Sequence, residues 1–248
     1  MKTIASAAAF RSSPFANTIA RVRLTLTLVL AIPLAAQQPA LSPFQEQTAR
    51  TLLHNRLSCL GCHELDGDGG RSAPSLTTVG QRRSAAYIRA IVEDPLRVSP
   101  AGAMPRINMT APVRELVIRF LARNAPPGPS APPAGRATSV ARAAASAAAL
   151  YARWCTSCHG LRGAGNGPNA RYLPVPPAVH ASAGKMRERP DDSLFDTIAG
   201  GGGVMRRSVR MPAFGATLSR DEIRSLVAYI RTLCSCTGPR WSRDGIAR

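Results

Sequence analysis

One pentapeptide pattern occurs twice and constrains this chain more than any other feature: Cys59-Leu60-Gly61-Cys62-His63 and Cys155-Thr156-Ser157-Cys158-His159. Both read Cys-x-x-Cys-His. At this spacing two thiols reach the two vinyl groups of one porphyrin, and the adjacent His comes up under its iron. Each copy is followed by a later Met-Pro, at Met104-Pro105 and Met211-Pro212. The repeated pattern, with the same downstream partner, points to two covalently attached haem c groups held by Cys59, Cys62, Cys155 and Cys158. Other chemistries fit less well. The two Cys pairs start 96 positions apart, whereas zinc-ribbon pairs lie about 15–20 residues apart. A thioredoxin-like motif needs a strand-rich βαβ setting, which the chain does not offer. Asp66-Gly67-Asp68-Gly69 hints at a calcium loop, but its twelfth position is Thr77, not Glu.

The 248 residues suffice for two small domains. Ala125-Pro126-Pro127-Gly128-Pro129-Ser130-Ala131-Pro132-Pro133 reads as an extended, semi-rigid linker. It separates two segments with the same order of parts: opening helix, haem motif, loop, short helix, Met-Pro, closing helix. The expected organisation is an N-terminal signal or anchor at 1–36, one domain at 41–124, a Pro/Ala-rich linker at 125–140, a second domain at 141–235 and a tail at 236–248. The opening helices are expected over Gln45 to Arg56 and Ala141 to Arg153, and short middle helices near Ser84 to Val92 and Asp192 to Ala199, the latter ended by Gly200 to Gly203.

The closing helices carry the clearest periodicity. Val113, Leu116, Val117, Phe120 and Leu121 form one apolar stripe; Ile223, Leu226, Val227, Ile230 and Leu233 form the other. Pro112 marks the start of the first, and Ser219 with Glu222 makes a capping box before the second. No segment alternates like a strand over a useful length, so the fold class reads as all-α. Each segment is short for a core of protein alone. A buried porphyrin would supply much of the missing apolar surface, which suits the low aromatic content of 5%.

At the N-terminus, Arg11, Arg21 and Arg23 precede the apolar run Leu24 to Ala36, a pattern of export. The run has 13 residues, short of the roughly 20 that span a bilayer. A cleaved signal peptide, an uncleaved anchor and a mis-chosen start remain open. The net charge is +18. Residues 41–124 hold 11 basic and 7 acidic side chains, and residues 125–248 hold 17 and 7. No nucleic-acid motif accompanies this charge, so it points to an acidic redox partner or a membrane surface rather than to nucleic acid.

An iron that only passes electrons takes six ligands. His63 and His159 supply the fifth positions, and Met104 and Met211 are the candidates for the sixth. Met104 lies 41 positions after His63 and Met211 lies 52 after His159, each before a closing helix. Met109 is close enough to replace Met104. Among the remaining histidines, His54 and His180 match no distal position and are expected at the surface or in loops. Cys234 and Cys236 follow the last helix, and a tight disulfide or a link to another chain are both open.

These features resemble the diheme class I cytochromes c, made of two fused domains. The resemblance covers about Thr48 to Arg123 and Ala148 to Leu233. It rests on the two haem motifs, Met104-Pro105, and Met211-Pro212-Ala213-Phe214-Gly215 with the helix after it. The resemblance implies two tandem domains, each wrapped round one haem. It implies that a backbone carbonyl orients each proximal His, near Pro74 in the first half and within Pro174 to Pro177 in the second. One departure stands out: Met104 precedes Val113 by nine positions, while Met211 precedes Ile223 by twelve.

The function expected is an exported, periplasmic two-haem carrier that passes single electrons between redox partners and has no catalytic residue. A dedicated electron-transfer subunit of a periplasmic dehydrogenase or respiratory complex is the alternative. A diheme peroxidase ranks last, because it needs a displaceable sixth ligand where two Met-Pro pairs offer themselves. Donor, acceptor, potentials and oligomeric state are not written in the sequence.

Overall fold

The computed structural model describes residues 39–126, 128, 146–239 and 241. The N-terminal apolar run, most of the Pro-rich linker, positions 141–145 of the expected second opening helix and tail positions 240 and 242–248 lie outside the described residues.

Local chemistry sets the helix ends. α1 (Pro43–Asn55) starts at a capping box in which Ser42 and Gln45 satisfy each other's backbone N–H, with Pro43 leading the first turn. A 3-10 turn at Ser58–Gly61 carries the first haem motif directly after it. β1 (Glu64–Leu65) and β2 (Asp68–Gly69) then pair antiparallel. Between them Asp66 and Gly67 take φ of 52° and 91°, the left-handed pair that a two-residue hairpin turn requires. This two-residue ladder is the one addition to the all-α expectation among the described residues. It is too short for alternation to register in sequence. The calcium-like segment Asp66 to Gly69 forms the turn and β2, and Asp66 and Asp68 spend their carboxylates on Arg50 and on His54 and Arg210.

α2 (Val79–Arg82), α3 (Ala85–Glu93, capped by Ser84) and α4 (Pro95–Val98, capped by Asp94) follow. An irregular stretch holding Met104 leads to α5 (Ala111–Leu121), with Pro112 in its first turn. The second half opens with α6 (Ala147–Trp154), capped by Ser146, and α7 (Thr156–His159), which carries the second motif. α8 (Ala183–Arg187) and α9 (Asp191–Gly200) come next, α9 being closed by Gly201 at φ 82°. α10 (Arg220–Leu233) starts at the expected Ser219–Glu222 capping box. Just past it Cys234 and Cys236 form an intrachain disulfide with a Cα separation of 5.1 Å, which resolves the two possibilities left by sequence.

The periodic stripes face inward. α1 packs on α5, and Leu53, Leu60, Ile88, Val117 and Phe120 form one core. α6 and α9 pack on α10, and Tyr151, Met186, Ile223, Leu226, Val227 and Ile230 form the other. Each such side chain, fully buried, contributes about 1.5–3 kcal/mol. No described helix is long and apolar enough to cross a membrane.

From Ala40 onward the two halves belong to one compact unit, joined by specific polar contacts. Asn169, 1% exposed, donates through Nδ2 to the Gly61 carbonyl (3.1 Å) and to Ser72 Oγ (2.7 Å), and its Oδ1 accepts from the Arg71 N–H (2.8 Å). Gly61 also lies so close to the Arg210 backbone that a Cβ there would overlap the Arg210 carbonyl oxygen. Arg153 donates to the carbonyls of Pro100 (2.7 Å) and Gly102 (2.6 Å), and the Arg106 N–H donates to Thr217 Oγ1 (2.9 Å).

Candidate functional site

In the second half a cavity of about 330 Å³ brings the motif and the Met-Pro together: Cys155, Cys158, His159 and Met211 all line it. α6 ends at Cys155, α7 presents Cys158 and His159, and the chain before α10 carries Met211. Most of the remaining walls are apolar, with Met186, Leu194, Ile198, Phe214, Leu226 and Ile230 contributed by α8, α9, α10 and the preceding loop. Half-exposed Val175 and exposed Arg207 stand at its edge. A largely apolar space with two thiols, an imidazole and a thioether on its walls suits a covalently attached porphyrin.

The His159 ring is fixed through Nδ1–H, which donates to the Ala178 carbonyl at 2.9 Å. This orients the ring and leaves Nε2 for a metal. The acceptor lies one residue beyond the expected Pro174 to Pro177 stretch. Burial holds His159 below the ordinary histidine range, only partly opposed by that bond. Burial likewise pushes the Cys155 thiol up to about 12, with Cys158 adding to the effect.

His180 lies in a loop, as one of the two expected positions had it, but it is not at the surface. It is 7% exposed, stacks on His159 with ring centroids 4.0 Å apart, and lines the cavity. The Tyr151 hydroxyl pairs with its Nδ1 at 3.0 Å. Burial first, then the proximity of His159 and Arg189, pushes its pKa down to about 2. No periodic pattern in the sequence links Tyr151, His159 and His180. His54 lies on α1 rather than in a loop and pairs with Asp68 at 2.9 Å.

In the first half the 3-10 turn presents Cys59 and the following Cys62, and burial pushes each thiol up to about 11. His63 Nδ1–H donates to the Pro74 carbonyl at 2.7 Å, the acceptor expected from the sequence. Burial holds His63 below its ordinary value. This donor set, two thiols and an imidazole with its far nitrogen free, fits the same cofactor. Met104 is half-buried in the irregular stretch before α5, while half-buried Met109 packs against the first core together with Cys59. The two motifs abut. The Cys158 sulfur lies 3.9 Å from the Gly61 carbonyl oxygen, and Cys158 is near enough to Cys62 to raise that thiol's pKa.

Three arginines come just before Met211 in the sequence, and of these Arg206 and Arg207 are exposed. Arg210 is not: its side chain is 7% exposed and pairs with Asp68 of the first half at 2.6 Å. Although it adjoins Met211 in sequence, its side chain turns inward between the halves.

Residues 46–118 match the family model of cytochrome c. Residues 142–230 match that of cytochrome c oxidase, cbb3-type, subunit III. No curated protein and no solved structure matches the chain.

Proposed function

Because this chain is a c-type cytochrome of two tandem domains with two covalently bound haem c groups, we propose that it is an exported carrier that passes single electrons between redox partner proteins. The cavity that gathers Cys155, Cys158, His159 and Met211 on its walls supports this reading above all. Each bound haem supplies a one-electron iron centre. Cys59 and Cys62 hold one and Cys155 and Cys158 the other. His63 and His159 ligate from one side, aligned by the Pro74 and Ala178 carbonyls. Met211 ligates from the other side in the second half, and Met104 does so in the first, with Met109 as its competitor. Met sulfur raises the potential and closes the sixth position to substrate, which argues for a carrier over a peroxidase. Export is supported by the Arg-flanked apolar N-terminal run and by the site of c-type haem attachment, outside the bacterial cytoplasm.

Ligation is tested in the near infrared, where oxidised Met-ligated haem has a weak sulfur-to-iron band. Met211→Ala should remove about half of that band, lower one potential and open one iron to carbon monoxide. Met104→Ala should remove the rest. A rest that disappears only with Met109→Ala would transfer the first axial role to Met109.

The partner's docking face is proposed to be acidic and to meet the second half near Arg206 and Arg207. Steering by such charges fades with salt. Arg206→Ser with Arg207→Ser should slow reduction by an acidic redox protein at low salt and flatten its salt dependence. Arg82→Ser with Arg83→Ser in the first half should do much less. Equal effects would mean net charge alone, with no localised face.

The match of the second half to a family named for an oxidase subunit favours a second reading, a subunit dedicated to one respiratory complex. Stoichiometric co-purification with one complex from native membranes would select it.

A further inference from the structure

Arg210 occupies a place that neither haem attachment nor axial ligation explains. Its Nη2 donates to Asp68 Oδ2 across the boundary between the halves. Its Nη1 is buried and has no hydrogen-bond partner among the described residues. A guanidinium has five N–H donors and no way to shed its charge, and a buried donor of this kind calls for an acceptor, preferably an anion. Arg210 is also one of the walls of the cavity that carries Cys155, Cys158, His159 and Met211. Most of the cavity lining beside it is apolar, including Met186, Leu194, Ile198 and Phe214. The haem periphery carries two carboxylates, the complement of an inward-facing guanidinium nitrogen.

We propose that Arg210 is the binding residue for a propionate carboxylate of the second haem. The proposal rests on the reading that this cavity holds that haem. Nη1 takes the carboxylate while Nη2 keeps Asp68, which in turn accepts from His54 Nδ1 at 2.9 Å. The second haem is thereby tied by a continuous chain of polar contacts to α1 and to the β1–β2 hairpin of the first half. Arg207 and Arg189 also line the cavity. Arg207 is exposed and Arg189 half-buried, whereas Arg210 holds a donor fully withdrawn from water and unpaired.

The experiment uses the full chain with both haems, verified by intact mass. In the reduced, diamagnetic wild-type protein, nuclear Overhauser contacts are expected between the Arg210 guanidinium protons and the propionate methylenes of the second haem. Arg210→Gln should shift the propionate bending band of the second haem in resonance Raman spectra. It should also lower that haem's reduction equilibrium about tenfold, or about 59 mV for one electron, because a cation near the oxidised iron is lost. Asp68→Asn should move the potential the other way and leave the Raman band in place. Arg207→Gln should leave the band unchanged. Any of three results overturns the proposal. One is the absence of the Overhauser contacts in the wild type, which needs no variant to fold. Another is a Raman band unchanged by Arg210→Gln. Equal-sign shifts from Arg210→Gln and Asp68→Asn would also overturn it, since they mark a salt bridge that only fastens the halves. A wild-type mass with one haem would instead overturn the reading of the cavity.

Discussion

Asp68 sits in the β1–β2 hairpin of the first half, yet its Oδ2 accepts from Arg210, 142 positions away. The same oxygen accepts from His54 Nδ1. Burial alone would raise its pKa, but the hydrogen bonds from Arg210 and His54 outweigh burial and hold it below the usual carboxylate value. A carboxyl more acidic when folded than when unfolded contributes stability that is complete above its unfolded pKa. That stability is lost as pH falls through the depressed folded value. Wild type should therefore lose urea resistance more steeply than Asp68→Asn below about pH 4. The difference should be modest, because the Asp68 side chain is 41% exposed and water screens the pair. Urea midpoints of both proteins between pH 3 and pH 7 provide the measurement, and parallel curves would count against the linkage. The haem-motif residues were legible because their chemistry is local: five consecutive positions state it. Asp68, Asn169, Arg210 and His180 were not legible. Their partners lie far along the chain, and no period connects them.

At the scale of elements, α10 does more than bury its stripe. Near its end Arg231 donates through Nε to Asp191 Oδ1 (2.7 Å), through Nη1 to the Met186 carbonyl (2.7 Å) and through Nη2 to the Arg189 carbonyl (2.6 Å). One guanidinium thus fastens α10 to α8, which also supplies Met186 to the cavity wall, to the start of α9 and to the chain between them. The Arg231 and Asp191 side chains are 12% and 10% exposed. Arg231→Ala should cost about 3–5 kcal/mol, because it leaves a nearly buried carboxylate without its counter-charge. Ser219→Ala at the other end of α10 should cost about 1 kcal/mol, the worth of a cap. Thermal melts followed at the two haems should show the first change acting on the second haem environment and sparing the first. Both helix ends were readable, since capping boxes and stripes are short-range signals. Arg231's acceptors were not, since two of them are backbone carbonyls, one at the end of α8 and one in the segment after it. The same holds for the shift from the Pro174 to Pro177 stretch to the Ala178 carbonyl: only the folded loop decides which carbonyl faces His159.

On the scale of the whole molecule, the halves complete each other. The stretch carrying Met104 has no regular structure of its own, and the second half holds it. Arg153 of α6 binds the Pro100 and Gly102 carbonyls, and Thr217 accepts from the Arg106 N–H, so both flanks of Met104 are fastened from across the boundary. A thioether is a weak ligand, and it stays on iron only while its loop is held in place. Arg153→Ala removes three donated hydrogen bonds to those two carbonyls, each worth about 1.5–3 kcal/mol when the donor is charged and less where water competes. The freed stretch should let carbon monoxide reach the first haem faster than in wild type, although the substitution lies in the second domain. The second haem, whose proposed ligand Met211 packs against the second half's own core, should react unchanged. Stopped-flow carbon monoxide binding to the reduced protein separates the two haems by their spectra. A first haem indifferent to Arg153→Ala would mean that its sixth ligand is not on the fastened stretch. Met109, packed against the first half's own core, would then be the residue to which the role passes.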